Sequence, residues 1–246
     1  MSKKTMRASR ENAGSPPSHL DPSCFFGFEL DAEQLRFRDS IWDTNKLVIF
    51  CNAKAGTGKT LIATGTAKLL YDWGLYDGII FIASPTQETK NGFLPGTADE
   101  KAEPYFEPFY QACTEVGINP YIDINDRSIA GQKRGTGYVD CVTHMYLRGV
   151  NFDHKVVIID EAQNFTFLDL QKTLTRCKDT CKVIVIGHTG QCDLDSRAYS
   201  GFSLYADHFS GDDRTAVITL TKNYRGWISQ HADSLNPSIT KENFSC

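Results

Sequence analysis

Several features are missing from this 246-residue sequence, and each absence closes off a class of reading. No apolar run approaches the ~20 residues that a bilayer-crossing helix needs, and the N-terminus has no apolar core of the kind that drives secretion. A cytoplasmic location without a membrane partner is the expectation. The eight cysteines, Cys24, Cys51, Cys113, Cys141, Cys177, Cys181, Cys192 and Cys246, form no C-x-x-C pair. Their spacing indicates neither a zinc site nor a disulfide framework, and reduced core thiols are expected. A formal charge of -4 argues against a broad basic surface, although a local positive groove stays open. There is no Lys–Asp pair of the guanine-reading type, and no basic segment of the kind that forms a kinase lid.

What is present begins with Ala53-Lys54-Ala55-Gly56-Thr57-Gly58-Lys59-Thr60, set behind the apolar run Lys46–Cys51. Strand, glycine-rich turn and helix follow in the order of a phosphate-binding loop. Small residues let successive amide N–H groups point inward at the positive end of a helix. Lys59 is placed to reach the β- and γ-phosphate oxygens, and the Thr60 hydroxyl to ligate Mg²⁺ beside ATP. Ala53 stands where such loops most often open on glycine, a minor departure.

At 41% hydrophobic content, the chain can bury one substantial core. Residues 1–23, with Lys3, Lys4, Arg7 and Arg10 among Ser, Pro and Gly, read as a flexible basic arm. Residues 24–236 read as a single domain and 237–246 as a tail. Strands are expected at Lys46–Cys51, Gly78–Ala83, Tyr138–Val142, Val156–Asp160, Lys182–Gly187 and Ala216–Leu220. Helices are expected from Gly58 to about Trp73, at Phe106–Val116, Phe167–Cys177 and Tyr199–His208, and from Gly226 onward. This alternation predicts an α/β fold of three layers, α/β/α, around a mostly parallel sheet whose ligands gather at the carboxyl edge.

Val156-Val-Ile-Ile-Asp160-Glu161-Ala162-Gln163 delivers two carboxylates to that edge. Asp160 suits the metal's water shell, and Glu161 suits polarising a water for γ-phosphate hydrolysis. After the next strand, Gln191 is a candidate sensor of the γ-phosphate. Gln34, upstream of the first strand, carries an amide able to read both edges of adenine. Asn223-Tyr224-Arg225 offers a guanidinium for phosphate and a ring for a base.

With these residues in order, the sequence resembles the PhoH-like ATPases, whose RecA-like P-loop domain is similar to the first motor domain of superfamily 1 helicases. The resemblance runs from about Gln34 to Arg225. It includes Asn91-Gly92-Phe93-Leu94-Pro95-Gly96, Glu100-Lys101, Pro104-Tyr105, Met145–Gly149, Asp160–Asn164 and Leu174-Thr175-Arg176. Two positions depart from the family pattern: Ser84 stands where an arginine precedes proline, and His188 where an aspartate follows glycine. The resemblance implies a homo-oligomeric, hexameric ring acting on single-stranded nucleic acid, RNA foremost, with helicase-like activity. It also implies an arginine supplied by a neighbour, for which Arg225 and Arg176 are candidates and Arg148 a third. The polar stretches Ser84–Lys90 and Ser128–Gly137, with Lys90, Lys133 and Arg134, are candidates for facing the strand. Two other readings stay open, an ATP-gated assembly protein with slow turnover and a small-molecule kinase.

Overall fold

The computed structural model describes residues 15–23, 25–84, 103–125, 137–147, 149–191, 194 and 200–234. Six strands form one sheet: β1 Val48–Ala53, β2 Ile79–Ala83, β3 Val139–Thr143, β4 Val156–Ile159, β5 Lys182–Gly187 and β6 Thr215–Leu220. Their order is β3-β2-β4-β5-β1-β6, and every pairing is parallel. All the carboxyl ends therefore emerge on one edge.

The interior strands read as continuous β-branched and apolar runs because both faces of the sheet are covered. Period-two alternation divides their side chains between two cores. Ile49, Cys51, Ile158 and Ile184 face one, with Phe37, Ile62 and Phe109 from the helices α1 Ala32–Trp42, α2 Lys59–Asp72 and α3 Glu107–Glu115. Phe50, Val157, Ile159 and Val185 face the other, with Leu170 and Phe202 from α4 Phe167–Leu174 and α5 Gly201–Phe209. A last helix, α6 Trp227–Asp233, follows β6. The three-layer arrangement expected from the alternation is what forms, with all six described strands parallel.

Several expected boundaries move. The first strand begins at Val48 rather than Lys46, and the helix read as Phe167–Cys177 ends at Leu174. Helix α1 was not expected at all. It starts on a capping box, in which Asp31 Oδ1 accepts from Gln34 N at 2.8 Å and Gln34 Oε1 accepts from Asp31 N at 3.0 Å. Residues 15–23, read as part of a flexible arm, lie against this helix: Trp42 Nε1 donates to Pro17 O at 3.0 Å, and fully buried Arg38 donates to Asp21 O at 2.9 Å. The 237–246 tail lies outside the described residues.

Described cysteines Cys51, Cys113, Cys141, Cys177 and Cys181 are free thiols. Burial pushes Cys113 and Cys177 up to about 12, which keeps them protonated and unreactive. Among the described residues, no helix is long and apolar enough to cross a membrane.

Gly65 sits on the buried face of α2, where an added Cβ would lie 2.6 Å from Phe25 Cζ. Alanine gains roughly 1 kcal/mol in helix propensity there. Overpacking a filled core costs about 1–3 kcal/mol. Phe25 is fully buried, so packing wins. Gly65→Ala is expected to lower the thermal midpoint by about 2–4 °C, measured by circular dichroism.

Candidate functional site

The phosphate loop leaves β1 and returns into α2 through two left-handed glycines, Gly56 at φ 73° and Gly58 at φ 78°. Lys54 N donates to Leu220 O at 3.2 Å, and the buried Thr57 hydroxyl closes the turn onto Lys54 O at 3.0 Å. Helix α2 has no acidic side chain in its first turn, so its positive end stays available to an anion. The loop is braced from outside. Gln34 Nε2 donates to Thr57 O at 2.9 Å, and Tyr224 N donates to Gly56 O at 2.7 Å.

The carboxylate pair meets this loop across β5, which stands between β1 and β4. Thr60 Oγ1 donates to Asp160 Oδ2 at 2.7 Å, and Lys59 Nζ pairs with Glu161 Oε1 at 2.9 Å. Burial pushes the Asp160 carboxyl above its ordinary value, more than the Lys59 charge offsets. Burial also pushes Glu161 upward, but the Lys59 charge and the bonds from Lys59 and Gln163 outweigh it and hold that carboxyl low. For Lys59, burial works against the ammonium, while Asp160 and Glu161 prevail and raise it. Both members of the Lys59–Glu161 pair are therefore charged near neutral pH.

Glu161 occupies the left-handed region at φ 51° and ψ 40°. For a residue with a Cβ this costs of order 1–2 kcal/mol and is held by surrounding contacts. Those contacts are the Lys59 pair, the bond from Glu161 N to Asp160 Oδ1 at 2.9 Å and the bond from Gln163 Nε2 to Glu161 Oε2 at 2.6 Å.

A metal would find one hydroxyl and one carboxylate here, Thr60 and Asp160. Among the described residues no group of three or more His, Cys, Asp or Glu side chains gathers to hold an ion. That donor set fits a hard cation that takes most of its shell from phosphate oxygens and water, as Mg²⁺ does.

The remaining predicted residues divide. Gln191 follows β5, its N–H donating to His188 O at 3.1 Å, and His188 N donates to Gln163 Oε1 at 2.9 Å, which ties this turn to the carboxylate loop. Gln34 touches the phosphate loop, but both ends of its amide are engaged, one in the capping box and one on Thr57. The amide keeps a second N–H and a second oxygen lone pair beyond these two bonds, so an adenine edge need not displace either. Arg225 packs by its stem on the phosphate loop of its own chain, its Cγ 3.0 Å from where a Gly56 Cβ would sit. Arg176 is not brought to the site. Its carbonyl accepts from Phe152 N at 2.7 Å, upstream of β4, at the amino edge of the sheet opposite the phosphate loop. Lys90, Lys133, Arg134, Arg148 and the 91–96 signature lie outside the described residues. Ser84, one of the two departures, is buried and donates to Asn164 O at 3.3 Å, supporting the carboxylate loop.

Sequence reasoning missed Gln163 and Asn223 as structural parts of the site. Asn223 is buried against Gly56 and accepts from Arg225 N at 2.8 Å. No local pattern announces either contact, because each partner is distant in sequence or rests on a backbone turn.

A parallel sheet with the phosphate loop after one strand, a carboxylate pair two strands away and a further strand between them defines a RecA-like P-loop fold. The chain belongs to the PhoH-like protein family, whose profile matches residues 29–230. It is 33% identical over 179 residues to Protein PhoH of Escherichia coli K12, covering 72% of this chain and 49% of that protein. To a PhoH-like protein of Mycobacterium tuberculosis H37Rv it is 33% identical over 190 residues, covering 76% and 51%. The chain thus spans about half the length of these curated relatives. Among solved structures it is similar to the HK97 bacteriophage large terminase, with TM-score 0.48 and 17% identity over 83% of this chain and 42% of that one. Similarity to the Pif1 helicase of Candida albicans has TM-score 0.43 and 16% identity over 88% and 47%. Likeness at this level says nothing about substrate.

An alanine at Gly56 would place its Cβ 2.4 Å from Asn223 Oδ1, on a backbone that disfavours any Cβ. Asn223 cannot retreat, since its Nδ2 is held by Ser229 Oγ at 2.7 Å. Gly56→Ala is expected to release residues 223–225 from the loop. Hydrogen exchange should show the Tyr224 amide losing protection, and the melt should show a loss of roughly 1–2 kcal/mol. Retained protection at Tyr224 would contradict the packing described.

Proposed function

We propose that this domain binds and hydrolyses ATP with Mg²⁺ and acts on single-stranded nucleic acid, RNA foremost, as one member of a ring of identical chains. The observation that carries the hydrolytic reading is the convergence of Lys59, Thr60, Asp160 and Glu161 through bonds of 2.7 and 2.9 Å at one sheet edge. Bound Mg²⁺ supplies neutralisation of charge on the β- and γ-phosphates. Amides of the phosphate loop and the Lys59 ammonium bind the phosphate oxygens, and Thr60 with Asp160 holds the metal's shell. Lys59 must leave Glu161 to do so. That exchange frees the Glu161 carboxylate to polarise the attacking water and take its proton. Gln191, tethered through His188, is the reporter of the γ-phosphate in this reading.

Arg225 supports the same scheme from the chain's own side, since its stem lies on Gly56. An arginine from a neighbour remains part of the ring proposal, where such a group raises turnover by ~10³–10⁵. The ring and the RNA preference rest on the family resemblance, and the cytoplasmic location on the sequence.

One observation favours a second reading. The Lys59–Glu161 pair must open before water can be activated, which suits a protein that binds ATP to fix an assembly and turns it over slowly.

Glu161→Gln separates the two. A general base contributes about 10²–10⁴-fold, so turnover is expected to fall by that factor while affinity for a fluorescent ATP analogue stays within about threefold. Wild-type turnover in this variant would remove Glu161 from the mechanism. Phosphate release without any phosphorylated acceptor separates hydrolysis from small-molecule phosphorylation.

A salt series with single-stranded RNA tests the partner. Stimulated turnover and an affinity that falls steeply with salt are expected, because phosphate contacts release counterions. Turnover indifferent to RNA at every salt concentration would take nucleic acid out of the proposal.

A further inference from the structure

We propose that Gln163 is a positioning residue for hydrolysis, fixing the Glu161 carboxylate and tying it to the turn that carries Gln191. The inference deepens the hydrolytic reading and rests on Glu161 being the group that polarises water.

Gln163 lies in the short 3-10 turn Ala162–Asn164 and is only 2% exposed. A buried amide must satisfy both its ends, and here each end is committed to a different part of the site. Its Nε2 donates to Glu161 Oε2 at 2.6 Å, while its Oε1 accepts from His188 N at 2.9 Å. The next bond in the series, Gln191 N to His188 O at 3.1 Å, continues into the residue expected to meet the γ-phosphate. Carboxylate, amide and sensor turn thus form one series of hydrogen bonds spanning the ends of β4 and β5.

The two oxygens of Glu161 are held by different groups. Lys59 takes Oε1 and Gln163 takes Oε2. When Lys59 turns to a phosphate oxygen, Oε1 is released, while the bond from Gln163 to Oε2 takes no part in that exchange. The side chain is then anchored through one oxygen with the other free to accept a proton from water. Without that anchor a half-exposed glutamate on a left-handed backbone would sample several rotamers, few of them aimed at the phosphate. Because Gln163 also grips the His188 amide, a shift of the Gln191 turn is passed to the Glu161 carboxylate.

Three substitutions test this. Gln163→Glu keeps the length and the acceptor for His188 N but sets a carboxylate against Glu161. Gln163→Met keeps the volume and removes both polar ends. Gln163→Asn keeps the amide but is one methylene too short to span both partners. Each is expected to lower kcat by about 10- to 100-fold, the scale on which a misplaced catalytic group acts. KM for ATP and affinity for a fluorescent ATP analogue should stay close to wild type, while the thermal midpoint falls by a few degrees because each variant leaves a buried polar group poorly paired. Wild-type kcat in Gln163→Glu would overturn the proposal. So would a loss of nucleotide affinity parallel to the loss of kcat, since that is what a merely structural residue gives. Should Gln163→Met fail to fold, the other two variants carry the test. Glu161→Gln is measured alongside: inactive Glu161→Gln with active Gln163→Glu sinks the positioning role alone, whereas active Glu161→Gln sinks the hydrolytic assignment and this inference together.

Discussion

Six parallel strands place every carboxyl end on one edge of the sheet, and the chemistry of this domain follows from that constraint. Parallel pairing requires a crossover between successive strands, so each strand must end in a loop at the edge where ligands can approach. β1 ends in the phosphate loop, β4 in Asp160 and Glu161, β5 in His188–Gln191 and β6 in the 223–225 segment. The order β4-β5-β1-β6 brings these four loops side by side although up to 170 residues separate them along the chain. An antiparallel sheet of the same sequence would scatter them over two edges.

The adjacency is cemented by hydrogen bonds that cost the chain little beyond what the strands already fix. Asp160 N continues the β2 ladder by donating to Ile82 O at 3.1 Å, so the residue that would face the metal is still held as part of the sheet. One residue later the backbone turns left-handed at Glu161, and its carboxylate swings toward Lys59. The left-handed turn at that single position sends the two adjacent acids to different partners, one buried against Thr60 and one paired with Lys59.

Legibility from sequence tracks the range of the interaction. The phosphate loop and the carboxylate strand are local patterns whose meaning does not depend on tertiary context, and the structure brings both to one edge. Helix α1 was legible in principle through Asp31-Ala32-Glu33-Gln34, a capping box. It was missed because its buried face mixes Gln34 and Arg38 with Phe37, Ile41 and Trp42, which weakens the apolar period. Arg176, a candidate for reaching a neighbour's site, lies away from the phosphate loop of its own chain for a geometric reason. Helix α4 leaves the carboxyl edge at Phe167 and has returned to the amino edge by Leu174, carrying the following arginine away from the phosphate loop. Gln163 and Asn223 could not be found from sequence, since a polar side chain becomes a brace only when a distant partner arrives.

In the proposed mechanism, the Lys59–Glu161 pair connects structure to rate. Each partner neutralises the other in a partly buried place, so breaking the pair without compensation would leave two desolvated charges. Triphosphate offers Lys59 a more highly charged partner, and the exchange is favourable for the lysine alone. Glu161 loses its cation in the same event and regains no opposite charge from a phosphate. What then keeps the carboxylate in place is neutral, the Gln163 amide, whose bond lowers the carboxyl but adds no opposite charge. A cation in that position would hold Glu161 more firmly and make it a poorer base. The burial of an amide at residue 163 is therefore consistent with a site that must restrain its base and leave it basic.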